Sequence, residues 1–177
     1  MFSFLSSFPK KVLNAVFVLV LLVAIVGCDS NGNTSNDNSN EQGVFPPNLA
    51  GEWLGLIPGS TIPADYYVIE EDTLQYVMDD PEWGMEYTGN IRFVSNYSSS
   101  SGLIIIEYTQ GASDPGKPFA GIYYKSLTSS TVQLANAINP DYSSADTTSL
   151  DEAVEKFTRN KMDTYVSYWG PYTKKTP

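Results

Sequence analysis

The chain of 177 residues carries 20 acidic and 10 basic side chains, no histidine and one cysteine. A net charge of −10 argues against binding nucleic acid or anionic lipid surfaces, which call for clustered cations. The missing histidine removes the commonest general base and metal ligand, and no Gly-rich phosphate loop or nucleophile elbow takes its place.

Lys10 and Lys11 precede an apolar run over 12–26, broken only by Asn14. Its 15 residues fall short of the roughly 20 that cross a hydrocarbon core as a helix. A basic start, a short apolar run and a small residue at its end predict an export signal over 1–27. Ile25-Val26-Gly27-Cys28 then resembles the bacterial lipobox. That resemblance implies that the Cys28 thiol is diacylglycerylated, the chain is cut before it, and the new amine is acylated. Each acyl methylene contributes about 0.8 kcal/mol, so one chain binds marginally, whereas two or three hold the protein on membrane lipid. The expected address is the cell envelope, lipid-anchored to a bacterial membrane outside the cytoplasm. Asp29 resembles the enterobacterial signal for the inner membrane, and both membranes stay open. Loss of Lys10 and Lys11 leaves 8 basic and 20 acidic residues, a charge of 8 − 20 = −12. With Cys28 acylated, no thiol remains for a disulfide or a metal site.

Residues 28–48 read as a tether. From Asp29 to Gln42 there is no apolar side chain, a composition that predicts disorder and an r.m.s. reach of roughly 25 Å for the whole segment. Pro46-Pro47 stiffens its last step.

Residues 49–177 are sized for one domain. Turn signals recur at short intervals: Ile57-Pro58-Gly59, Glu71-Asp72, Asp79-Asp80-Pro81, 96–102, 111–118 and 128–130. Between them lie runs rich in Tyr, Val, Ile, Thr and Trp, which predict a mainly β fold. Eight strands are expected, over 49–57, 66–70, 73–78, 85–95, 102–109, 119–126, 131–138 and 164–172. The short junctions at Glu71-Asp72 and Ser129-Ser130 predict antiparallel neighbours, hence a single eight-stranded meander barrel. Leu103-Ile104-Ile105-Ile106 is apolar on both pleat faces, so its strand should be covered on both sides. One α-helix, 150–161, precedes the last strand. Ser149 caps it with Glu152 reaching back to the Ser149 amide, and Leu150, Ala153, Val154 and Phe157 share one face. Glu152–Lys156 and Glu155–Arg159 are expected as i,i+4 pairs, with Phe157 clamping the helix to the barrel wall or to one of its ends.

Gly51-Glu52-Trp53 resembles the Gly-x-Trp of the lipocalin-like barrels, or calycins, whose tryptophan packs in the closed end. The resemblance implies an up-and-down barrel with a helix before its last strand and a cation stacked on Trp53, for which Arg159 is the candidate. The family's Thr-Asp-Tyr motif is missing; Ala64-Asp65-Tyr66 is near it in letters and lies too early. The Asn/Ser-rich tether is similar to those of small spirochaete lipoproteins.

Few groups could carry chemistry. The serines at 98–101 have no activating base and read as a hairpin loop. Glu70-Glu71-Asp72 and Asp79-Asp80-Pro81-Glu82 could pair carboxyls or hold Ca²⁺, but turn formation explains them without either. No metal, cofactor or catalytic residue is expected, so the chain reads as non-enzymatic. Twelve tyrosines and three tryptophans suggest a ring-lined barrel mouth for a small amphipathic or hydrophobic ligand. The candidate lining is Trp53, Tyr66, Tyr76, Tyr108, Tyr123 and Tyr168. The alternative is a surface interaction module, an adhesin, inhibitor or envelope-assembly factor with no small ligand.

Overall fold

β-Branched and aromatic residues alternating between two pleat faces form eight strands. They are β1 Gly51–Leu56, β2 Pro63–Ile69, β3 Thr73–Met78, β4 Met85–Ser98, β5 Ser101–Gln110, β6 Phe119–Lys125, β7 Thr131–Asn136 and β8 Gly170–Lys174. The computed structural model describes residues 41–56, 63–78 and 84–176, all within the unit Asn38–Pro177. The export signal, Cys28, the tether as far as residue 40, Ile57-Pro58-Gly59 and Asp79-Asp80-Pro81-Glu82 lie outside the described residues. Each strand pairs antiparallel with the next, and β8 returns to β1 through Trp53↔Lys174, Leu54↔Thr173 and Gly55↔Tyr172. The closed eight-stranded meander is therefore what forms. Closure removes the sheet edges that an open meander would expose.

The two ends of the barrel are built differently. One carries the tight hairpins, with Glu70-Glu71-Asp72 between β2 and β3 and Ser99-Ser100 between β4 and β5. At the other, β5 joins β6 through 111–118, and β7 joins β8 through 137–169. Residues 41–48, given to the tether by composition, reach the fold. The Gly43 amide donates to Val94 at 2.6 Å, Asn96 Nδ2 donates to the Val44 carbonyl, and Phe45 packs on the interior core.

A β-bulge between Ile91 and Phe93 reverses the alternation of β4, so that Ile91 lies with the interior cluster and Phe93 with the outer one. The same division splits β5. Ile104 and Ile106 point inward, whereas Leu103 and Ile105 point outward into a second hydrophobic layer. That layer is the helical connection laid on the wall. Helix α1, Leu150–Lys156, buries Ala153 there, and Phe157 follows it fully buried against Gly121. A Cβ on Gly121 would stand 2.7 Å from the Phe157 ring, so the glycine is the notch into which the ring drops.

This notch ends the helix earlier than its periodicity predicts. Phe157 leaves the helical region at φ −96, ψ 64, a 3-10 turn follows at Arg159–Lys161, and a short α2 spans Met162–Tyr165. The cap is also one step longer than expected. Ser149 Oγ accepts the Glu152 amide, but Glu152 reaches the amide and hydroxyl of Thr148, not those of Ser149. Lys156 is taken by the Ala145 carbonyl at 2.6 Å. The expected strand over 164–172 starts later, as β8 at Gly170, and runs on to Lys174, with Tyr165, Val166 and Trp169 packed on the outer layer instead of joining the sheet.

Candidate functional site

Counting outward from the Glu70–Thr73 turn pairs Tyr67 with Tyr76, and the next hairpin pairs Tyr76 with Tyr87. Three phenols thus lie side by side on the interior face of adjacent strands. Tyr108 of β5 and Tyr172 of β8 extend the row at either end. Ring centroids lie 5.2 Å apart for Tyr172–Tyr67, 4.7 Å for Tyr67–Tyr76, 5.1 Å for Tyr76–Tyr87 and 5.4 Å for Tyr87–Tyr108. The result is a belt of five tyrosines inside the barrel, towards the end with the long connections. Edge, tilted and stacked ring pairs of this kind add about 0.5–1.5 kcal/mol each beyond their buried area.

The hydroxyls converge on two acceptors. Tyr76 and Tyr172 both donate to Asp65 Oδ2, at 3.0 and 2.6 Å, while Tyr67 and Tyr87 both donate to Asn136 Oδ1, at 3.2 and 2.8 Å. Asp65 points inward because it alternates in phase with Tyr67 along β2. Its carboxyl occupies the place where a side chain on Gly55 would begin, so only glycine fits opposite it. Tyr108 bonds Asp146, which also accepts from Ser113 Oγ at the rim of the long loops.

Burial raises the pKa of all five phenols well above the ordinary value. The Asp65 charge adds to this at Tyr76 and Tyr172. The hydroxyls therefore stay protonated and act as donors. Asp146 is buried too, and burial raises its pKa against the lowering effect of its hydroxyl partners and of Lys156. Among the described residues no three carboxylates converge as a metal site would require.

The opposite end of the interior is mostly aliphatic. Leu49, Ile69, Leu74, Ile104, Leu127 and Val132 fill it around Trp53, which is 0 % exposed. Trp53 Nε1 donates to the Leu49 carbonyl at 2.8 Å. The cation over its ring is Lys174, 5.1 Å from the centroid, and not Arg159, which instead lies near Tyr97. One phenol reaches this end: Tyr124 donates to Asn96 Oδ1 at 2.6 Å, and burial pushes its pKa up to about 12.

The six candidate lining residues therefore do not meet. Tyr76 and Tyr108 are in the belt, and Trp53 is at the closed end. Tyr66 alternates with Tyr67 and points out of the barrel. Tyr123 lies in the outer layer beneath the helical connection, and Tyr168 is 73 % exposed. Tyr67, Tyr87, Tyr172, Asp65 and Asn136 complete the site instead. The signal for Tyr67 was available, since the two-residue Glu71-Asp72 junction dictates its pairing with Tyr76. The barrel is compatible with a lipocalin-like fold. No family model, characterised protein or solved structure matches the chain.

Proposed function

We propose that this chain is a non-enzymatic lipoprotein of a bacterial cell envelope, anchored through acylated Cys28, whose barrel receives a small amphipathic or hydrophobic ligand against the tyrosine belt. One observation carries the binding reading: five inward phenols gathered at the end with the long connections, where a core built only for stability would use aliphatics, as the opposite end does. Phenol rings offer rigid apolar area and a polar edge together, which suits an amphiphile. The test uses the chain from residue 28 onward with Cys28→Ser, titrated with the neutral fluorophore N-phenyl-1-naphthylamine and followed by native mass spectrometry. Saturable one-to-one binding is expected. Absence of saturable binding by neutral, cationic and anionic amphiphiles alike would overturn the reading.

The anchor has its own test. In cells given labelled palmitate, Cys28→Ser in the full chain should lose the label and accumulate as uncut precursor. Continued labelling or normal processing would refute acylation at this residue.

A surface interaction module is the second reading, and one loop favours it. Tyr142 is 78 % exposed with φ 64, a left-handed conformation that a bulky residue seldom adopts. The loop holds it there through Tyr142 N to Asn139 O, Asn139 N to Ser143 O and Ser143 N to Asp141 Oδ1. Tyr142→Ala abolishing capture of an envelope protein, with amphiphile binding absent, would move the assignment to this reading.

A further inference from the structure

We infer that the ligand's polar head is a cation, an amine or quaternary ammonium, seated against the tyrosine belt with Asp65 as its counter-charge; the inference rests on the amphiphile reading above. Two features converge on it. Phenol faces attract cations through the ring quadrupole, and several rings around one point form the aromatic cage that suits an ammonium. At the belt, accepting from Tyr76 and Tyr172, stands the Asp65 carboxylate. Strands β1 to β3, which supply Asp65, Tyr67 and Tyr76, contain no lysine or arginine, because none occurs between Lys11 and Arg92. Among the described residues no cation pairs with Asp65. The cations that approach the barrel are engaged elsewhere: Lys156 on the Ala145 carbonyl, Lys125 over Trp169 and Lys174 over Trp53 at the far end. Asp65 is part-buried, and the two tyrosine hydroxyls on it supply hydrogen bonds but no opposite charge, which leaves that role to a ligand. An anionic head would face Asp65 and, at the rim, Asp146; a neutral head would leave the carboxylate uncompensated.

The experiment compares three amphiphiles with one tail and different heads: dodecyltrimethylammonium, dodecyl sulfate and dodecyl maltoside. Each is titrated below its micelle concentration into the residue-28 chain with Cys28→Ser, by isothermal calorimetry. The ammonium should bind roughly tenfold or more tighter than the other two. Asp65→Asn, which keeps an acceptor for both hydroxyls, should bring the ammonium down to the affinity that the same variant shows for the maltoside. Glu86→Gln removes the same charge from the outer face of β4, where Glu86 accepts from Gln75 Nε2, and should leave the preference intact. If Glu86→Gln loosens the ammonium as much as Asp65→Asn does, net charge sets the preference and the inference fails. Equal or tighter binding of the sulfate or the maltoside to the unaltered barrel also overturns it, whether or not Asp65→Asn folds, while the amphiphile reading stands. Binding by none of the three overturns both.

Discussion

The two ends of one barrel face the same problem, filling an interior with side chains, and solve it with different chemistry. The hairpin end uses aliphatic groups and a tryptophan, with one interior phenol, Tyr124, on one amide. The other end uses five phenols hung on a carboxylate and an amide. Aliphatic packing is non-directional and gains stability simply from lost contact with water. In a hydrogen-bonded aromatic end each hydroxyl exchanges water for its partner, so the net gain from each bond is modest. What it gains is a fixed arrangement of polar edges. The hairpin end is built for burial, and the proposed ligand site lies at the tyrosine end.

The strongest way to break this comparison is Trp53→Ala. The indole is fully buried, bonded to the Leu49 carbonyl and covered by Lys174. Large-to-small changes at such sites cost about 3–5 kcal/mol. Urea unfolding should show a loss of that size with little change in slope, while the preference among amphiphile heads persists in the folded fraction. A loss under about 1 kcal/mol, within the range of ordinary surface changes, would mean the hairpin end is not where stability resides.

A finer cut compares one hydroxyl from each end. Tyr172→Phe keeps the ring and removes a donor 2.6 Å from Asp65, a bond to a charged acceptor. Tyr124→Phe removes a donor at the same distance from the neutral Asn96 amide. Hydrogen bonds to charged groups contribute about 1.5–3 kcal/mol and neutral ones about 1 kcal/mol. Tyr172→Phe should therefore destabilise more in urea, and it alone should alter ammonium binding. Equal costs would show that Asp65 does not act as a charge in the belt.

Much of the hairpin end was legible in the sequence, and most of the tyrosine end was not. Strand count, the antiparallel meander and the doubly covered Leu103-Ile104-Ile105-Ile106 follow from local composition and turns, while Trp53 at the closed end is an expectation from the Gly51-Glu52-Trp53 resemblance. The belt depends on register, and a slip of one residue exchanges Tyr66 for Tyr67 at the interior. Ala64-Asp65-Tyr66-Tyr67 offers no clean alternation to decide between them, so only the Glu71-Asp72 turn does. Asp65 was hidden for the same reason, since a carboxyl reads as a surface residue until its phase is known. The β4 bulge shifts phase without any glycine or proline to announce it. The early end of α1 is a tertiary effect: helical periodicity runs through Phe157, but the ring is fully buried in the Gly121 notch, a contact that the local sequence does not show.

The smallest expected effect concerns pH, and it separates Asp146 from the exposed acids of the same loop region. Burial raises the Asp146 pKa, so between the unfolded and folded values the native state holds a proton that the unfolded chain has lost. Stability from this group is then greatest below the unfolded value of about 3.9, falls as pH rises through the folded value, and stays flat above it. Glu152 and Asp141 behave in the opposite sense. Hydrogen bonds from Thr148 hold Glu152 below the usual carboxylate range, and those from Ser143 do the same for Asp141, so their contribution is lost as pH falls through the folded values. Asp146→Asn should raise stability at neutral pH by on the order of 1 kcal/mol or less, since a tenfold change in proton affinity corresponds to about 1.4 kcal/mol. In the same titration the gap between variant and parent should narrow as pH falls through the folded value, because the parent's carboxyl becomes neutral as well. A gap that widens on acidification would show that Asp146 is held ionised, with its hydroxyl partners outweighing its burial.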